Sequence, residues 1–186
     1  MNMKMKKEFK LIQIAVLAVA VLLYSGLKFL NVAGKAAPAQ KEKSSIARVI
    51  DGDTLKLSDG RRVRLVGVDT PELHYSDKLV RDSRRTRRDI KEVQAMGQKS
   101  AAFTKQLCEG KTVRIVSDVR KTDKYGRLLA YLYLEDGTFV NAKILEEGYG
   151  QVMTIPPNVK YADYFLKLER RAREDRKGLW ALTDNM

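Results

Sequence analysis

The sequence predicts an α+β fold, mainly β. It comprises a small five-stranded Greek-key barrel with three helices, preceded by one N-terminal transmembrane helix. Three observations lead there. Two Asp-Gly turns each sit between alternating apolar and polar runs, two further strand-like runs follow a helical stretch, and a long apolar segment lies behind a lysine cluster near the N-terminus. The 186 residues suffice for one domain of ordinary size plus an appendage.

Taken in order, residues 1–10 are a basic N-terminus carrying Lys4, Lys6, Lys7 and Lys10. The apolar run that follows, over 11–30, is at the short end of a spanning helix. Lysines ahead of it favour a cytoplasmic N-terminus with the rest of the chain outside the cytoplasm, held at the cell membrane by a single pass. Lys28, Lys35, Lys41 and Lys43 on the far flank weaken that orientation. The alternative is a signal peptide removed on secretion, but Ala37-Pro38-Ala39 lies far downstream of the apolar run for a cleavage site. Residues 31–44 are small and polar without periodicity and read as a flexible tether.

The folded domain is expected over 45–182. Ile46 to Ile50, Thr54 to Ser58 and Arg61 to Val68 alternate as strands. Asp51-Gly52-Asp53 and Asp59-Gly60 turn the chain between them, which makes a meander. Pro71 stops the third strand near Asp69 and leaves Asp69, Thr70 and Glu72 at its end, with Arg64 further back. Residues 73–95 form a basic insert. Between Lys78 and Lys91 there are seven basic residues, Arg81, Arg84, Arg85, Arg87 and Arg88 among them, against two acidic ones. Such a run is either a solvated surface or an arm facing nucleic acid.

Helical spacing of Met96, Ser100, Phe103 and Leu107 predicts a helix over Glu92 to Leu107, stopped by Gly110. Thr112 to Ser117 and Leu128 to Leu134 are the last two strands, flanking Lys121-Thr122-Asp123-Lys124-Tyr125-Gly126-Arg127. Val140 to Glu147 and Val159 to Lys177 are the remaining helices, ended by Gly148 and Gly178, with Trp180 packing nearby. Five strands with a helix after the third and helices at the end suggest a barrel of the oligonucleotide-binding type.

The chemistry open to this chain is narrow. One cysteine, Cys108, excludes an internal disulfide and a Cys-rich zinc site, and the one histidine, His74, gives histidine-based hydrolysis little to work with. His74 reads as an exposed loop residue. Asp51, Asp53, Asp69 and Glu72 are hard oxygen donors suited to calcium or magnesium, although Asp51 and Asp53 also serve ordinary turn chemistry. Arg64 and Arg127 present planar forks that match phosphate oxygens, with a surface salt bridge as the plain alternative. Lys124 and Tyr125 can hold a terminal phosphate and a nucleotide face. A net charge of +13 favours an anionic partner, DNA, RNA or lipid. Of that charge, +6 lies in residues 1–43 and +7 in the rest.

Val49-Ile-Asp51-Gly-Asp53-Thr-Leu, Arg64-Leu-Val-Gly-Val-Asp69-Thr70-Pro71-Glu72 and Thr122-Asp-Lys124-Tyr125-Gly126-Arg127-Leu-Leu-Ala-Tyr131 together resemble the micrococcal (staphylococcal) nuclease or thermonuclease family. The match runs in order from about Ile46 to Trp180. The resemblance implies a calcium-dependent, monomeric endonuclease acting on DNA and/or RNA and leaving 3′-phosphate ends. It implies that Asp53, Asp69 and the Thr70 carbonyl bind Ca2+, with Asp51 in an outer role. It further implies that Glu72 is the general base or orients water, that Arg64 and Arg127 stabilise the pentacoordinate phosphate, and that Lys124 and Tyr125 lie near a terminal phosphate. Two departures stand out. The insert 73–95 is long and arginine-rich, and after Gly148 the chain reads Val152-Met153-Thr154-Ile155-Pro156-Pro157-Asn158, without the family's two nucleotide-facing tyrosines. Two other classes stay open beside the nuclease: a non-cleaving nucleic-acid-binding module of the same fold, and a basic protein of the membrane surface.

Overall fold

The strand alternation read from the sequence closes on itself. In a computed structural model that describes residues 42–182, apart from 75, 87 and the side chain of Lys78, β1 (Glu42–Asp51), β2 (Thr54–Leu57) and β3 (Arg62–Leu65) form the expected antiparallel meander. β5 (Thr112–Thr122) and β6 (Leu128–Leu134) pair antiparallel, and the barrel runs β1-β2-β3-β6-β5. Closure comes from β1 against β5 and from a parallel pairing of β3 with β6, Arg64 opposite Leu129. Ile46, Leu55, Leu57, Val63, Leu65 and Leu132 fill the interior, each essentially without solvent exposure.

The helices are α1 (Asp77–Thr86), α2 (Ile90–Cys108), α3 (Val140–Glu146) and α4 (Ala162–Glu174), followed by a 3₁₀ turn at Gly178–Leu182. Phe165 of α4 seals the barrel against Tyr131. Asn141 of α3 is wholly buried. Its amide accepts from Leu132 N–H at 3.0 Å and donates to the Val66 and Ala130 carbonyls at 2.9 and 3.2 Å.

Several sequence expectations need correction. The described residues hold four α-helices rather than three. The extra one, α1, lies inside the basic insert; Leu79 is the one buried apolar residue described within this helix, so the amphipathic signal is weak. Its start is nonetheless a capped one, since Ser76 Oγ accepts from Leu79 N–H at 3.1 Å. The third strand breaks in two at Val66: Gly67 takes φ +80°, and the chain resumes as β4 (Gly67–Asp69). β4 pairs outside the barrel with an unexpected strand, β7 (Gln151–Met153). β5 extends to Thr122, past the expected end at Ser117. α2 starts at Ile90 because Asp89 caps it, accepting from Lys91 N–H at 2.9 Å. α4 starts at Ala162 rather than Val159, and residues 42–44 of the expected tether already belong to β1. The expected N-terminus (1–10), transmembrane helix (11–30) and most of the tether lie outside the described residues. Among those described, no helix is long and apolar enough to cross a membrane.

Candidate functional site

The bend at Val66 builds the site. Because β3 ends there and β4 pairs with β7 outside the barrel, the segment 64–72 wraps round the Arg64 side chain instead of continuing the barrel ladder. Arg64 lies at the centre of this wrap, its side chain 14 % exposed. Its Nη1 donates to the carbonyls of Val68 (2.5 Å) and Leu65 (3.2 Å), and its Nη2 to Asp69 Oδ1 at 3.0 Å. Nη1 also lies 3.2 Å from Asp53 Oδ2. One guanidinium therefore holds two buried carboxylates that are 16 positions apart in the chain.

Each carboxylate is further fixed. Asp53 Oδ2 accepts from Thr70 N–H (2.9 Å) and Thr70 Oγ1 (3.1 Å), while its Oδ1 accepts from Thr54 Oγ1 at 3.0 Å. Asp69 Oδ2 accepts from Gln151 Nε2 at 3.3 Å. Buried carboxylates are stable as anions only when paired and hydrogen-bonded, and both conditions are met here.

Arg127 enters from the β5–β6 connection. Asp123 folds that connection into a turn: its Oδ1 accepts from the N–H groups of Tyr125 (2.9 Å) and Arg127 (3.0 Å), and its Oδ2 from Arg127 Nε at 2.7 Å. Burial works against the charged form of Asp123, but the bonds from Arg127 and Tyr125 prevail and hold its carboxyl below the usual aspartate range. Tyr125 is 64 % exposed, with Lys124 Nζ 5.0 Å and the Arg127 guanidinium 5.5 Å from its ring centre.

Glu72 is half-buried beyond the end of β4. Its position is set from behind by α2, where Gly97 lies so close that an added Cβ would fall 2.4 Å from the Glu72 carbonyl oxygen.

These parts share one cleft of about 750 Å³, lined by Asp53, Arg64, Asp69, Glu72, Lys124, Tyr125 and Arg127, with Asp51 also on its wall. Thr70 is buried behind it and faces a second, smaller hollow of about 130 Å³ together with Asp69, Pro71 and Trp180. His74 is exposed.

Residues 62–182 match the family model described as staphylococcal nuclease homologue. The chain belongs to the staphylococcal nuclease family. It is 33 % identical over 183 residues to a thermonuclease of Staphylococcus intermedius, covering 95 % of this chain and 99 % of that protein. It is 34 % identical over 142 residues to endonuclease YncB of Bacillus subtilis (strain 168), covering 74 % of this chain and 61 % of that protein. An uncharacterized protein of Methanocaldococcus jannaschii is 37 % identical over 153 residues, covering 75 % of this chain and 72 % of the archaeal protein.

Against that family background, three positions escaped the sequence reading. Asp123 organises Arg127, and the Asp-x-x-Gly turn pattern four residues ahead of an arginine was the available signal. Gln151 reaches Asp69 only because β7 pairs with β4, and nothing local announces a three-residue strand. Gly97 reads as a poor helix residue until its contact with Glu72 is known.

Two buried carboxylates beside one guanidinium leave a local excess of negative charge, and hard oxygens are what a divalent cation such as calcium prefers. The described residues contain no group of three or more His, Cys, Asp or Glu side chains placed to hold a metal. A cation here would therefore take carbonyl and water oxygens beside Asp53 and Asp69, which suits calcium, whose six to eight ligands commonly include both. The donor set fits such an ion.

Proposed function

We propose that this chain is a calcium-dependent phosphodiesterase that cuts DNA and/or RNA and leaves 3′-phosphate ends. That it is a nuclease, a hydrolase of nucleic acids, follows from its family and from relatives that include a thermonuclease and an endonuclease. The observation that carries the finer reading is the convergence of Arg64, Glu72 and Arg127 with Asp53 and Asp69 on one cleft.

In this reading Glu72 Oε accepts the proton of the attacking water, or orients it; the water oxygen bonds to phosphorus as the P–O5′ bond breaks, and the departing 5′-oxygen takes a proton from solvent, which leaves the phosphate on the 3′ side. Arg64 and Arg127 donate to the phosphoryl oxygens as negative charge builds on them. Donors fixed in advance by Asp69 and Asp123 need little reorganisation at that moment. Asp123 takes the Nε edge of Arg127, which leaves the outer Nη2 for substrate. Lys124 and Tyr125 hold a terminal phosphate at the exposed rim. Calcium held by Asp53, Asp69 and the Thr70 carbonyl would supply further charge stabilisation and lower the pKa of bound water. With Ile155, Pro156 and Pro157 lining the cleft and no tyrosine at that wall, substrates are held by their phosphates more than by base stacking.

The enzyme acts as a monomer, tethered by the apolar segment 11–30 with its domain outside the cytoplasm. Protease accessibility on intact cells tests that placement: protection of the domain until lysis would place it inside.

The activity test incubates the full chain with single-stranded and duplex DNA and with RNA, in calcium or chelator, beside Glu72→Gln. Cleavage that needs calcium, yields 3′-phosphate ends and collapses in Glu72→Gln is the expected result. Binding without cleavage in calcium, magnesium or manganese would overturn it in favour of the non-cleaving module.

A further inference from the structure

We infer that α1 is a polynucleotide-backbone docking surface, which extends the substrate footprint beyond the cleft past Glu72. This inference rests on the nuclease reading and names a part of the substrate that the cleft does not reach.

Four observations carry it. First, α1 divides its charges by face. At 100° per residue, Arg81, Arg84 and Arg85 fall within about 100° of arc, roughly opposite Leu79. Leu79 is fully buried and the three arginines are exposed. Second, the arginines of the insert have different employment. Arg88 is structural, bound to Glu92 and to the Leu182 carbonyl (3.3 Å), its side chain 8 % exposed. Arg85 pairs only with Asp82 of its own helix, at 3.4 Å and 62 % exposed. Among the described residues no carboxylate pairs with Arg81 or Arg84.

Third, the face adjoins the site. Asp77 begins the helix five positions after Glu72, and Asp69 lines both the cleft and the smaller hollow to which Arg85 contributes. Fourth, the helix is held firmly enough to act as a platform. Ser76 caps it, Ser83 Oγ donates to the Arg88 carbonyl at 2.6 Å, and it lies along α2, the same helix that backs Glu72. A strand leaving the cleft at Glu72 thus meets a rigid row of guanidinium groups, which suit phosphate oxygens better than any other side chain. A ten-residue helix about 15 Å long offers contacts to a few successive phosphates.

The test compares the full wild-type chain with a triple variant, Arg81→Ala, Arg84→Ala and Arg85→Ala, and with the corresponding triple Arg→Lys variant. Substrates are a trinucleotide and a single strand of about 30 nucleotides; binding of the longer strand is also followed by anisotropy with chelator present. Three lost contacts at about 0.7 counterions each flatten the slope of log K against log salt by about 2, so wild type loses about 20-fold more affinity than the triple alanine variant between about 50 and 200 mM salt. KM for the long strand rises at low salt, trinucleotide cleavage stays as in wild type, and the lysine variant recovers most of the long-strand binding. An unchanged salt slope for the long strand would overturn the inference. So would a triple alanine variant that keeps long-strand binding but loses binding to vesicles containing phosphatidylglycerol, since the face would then serve lipid. If wild type cuts neither substrate, the nuclease reading fails, while the anisotropy arm still decides whether α1 docks the strand. Circular dichroism and the melting temperature report folding, which three exposed substitutions leave intact.

Discussion

Gly97→Ala separates the position of Glu72 from its chemistry. Gly97 sits inside α2, where replacing glycine by alanine ordinarily stabilises a helix by about 1 kcal/mol. Here the new Cβ would fall 2.4 Å from the Glu72 carbonyl oxygen, 2.6 Å from its carbonyl carbon and 2.9 Å from Leu73 N. All three are backbone atoms, so no side chain can swing aside. Reaching an ordinary contact requires α2 and the Glu72 segment to part by about 1 Å, an overpacking that commonly costs about 1–3 kcal/mol. The propensity gain offsets part of that, and the net loss of stability is expected between about 0 and 2 kcal/mol.

The catalytic effect should be larger than the stability effect. A displacement of about 1 Å in a group that must meet water and phosphorus together lowers the rate by about 100-fold. Arg64 and Arg127 stand on the barrel, away from the clash, so KM should change little while kcat falls about 10- to 100-fold. The assay is steady-state cleavage of a labelled oligonucleotide in calcium, with urea unfolding in parallel and Gln98→Ala, an exposed change on the same helix, as control. A variant with wild-type kcat would refute the reasoning, because Glu72 would then not depend on α2 for its place or would not act in the reaction.

Other expectations follow from the same geometry. Arg64→Gln leaves the buried Asp53 and Asp69 without their shared partner, and denaturant unfolding in chelator should show a loss of about 3–5 kcal/mol, partly recovered on adding calcium. Asn141→Leu removes the bonds to Leu132, Val66 and Ala130, and with buried groups costing about 1–3 kcal/mol each when unsatisfied, urea unfolding should show a loss of at least about 2 kcal/mol. Asp123, held below the usual aspartate range, contributes stability that is fully present above its unfolded pKa and lost as pH falls through its lowered folded value. An acid titration should accordingly show less pH dependence below about pH 4 in Asp123→Asn than in wild type. Burial pushes the Cys108 thiol up to about 12, so disulfide-reagent labelling at pH 8 should proceed only at the rate at which the domain opens and accelerate in parallel with unfolding in urea.

Much of the barrel could be read from residues alone, because its signals are local. A strand with one face in the core must alternate, and Asp59-Gly60 closes a hairpin whatever surrounds it; Gly60 duly takes φ +89°. α1 escaped because a helix that buries one leucine has almost no apolar stripe, and its arginines read equally well as loop. β7 escaped because three residues have no pattern of their own; they become a strand only when β4 lies beside them. The division of the third strand at Val66 was equally out of reach, since it follows from Gly67 at positive φ and from an asparagine 75 positions away that binds the Val66 carbonyl.

The order of residues alone set which chemical groups exist: hard oxygens, arginines beside strand ends, one histidine and one thiol, and hence a charge-driven chemistry on phosphate. It also determined the barrel, through short-range alternation and turns. The tertiary structure decided which groups meet. Asp53 and Asp69 share Arg64, Asp123 aims Arg127, and Gly97 seats Glu72, because contacts between distant segments depend on how whole elements pack, and no window of neighbouring residues contains that information.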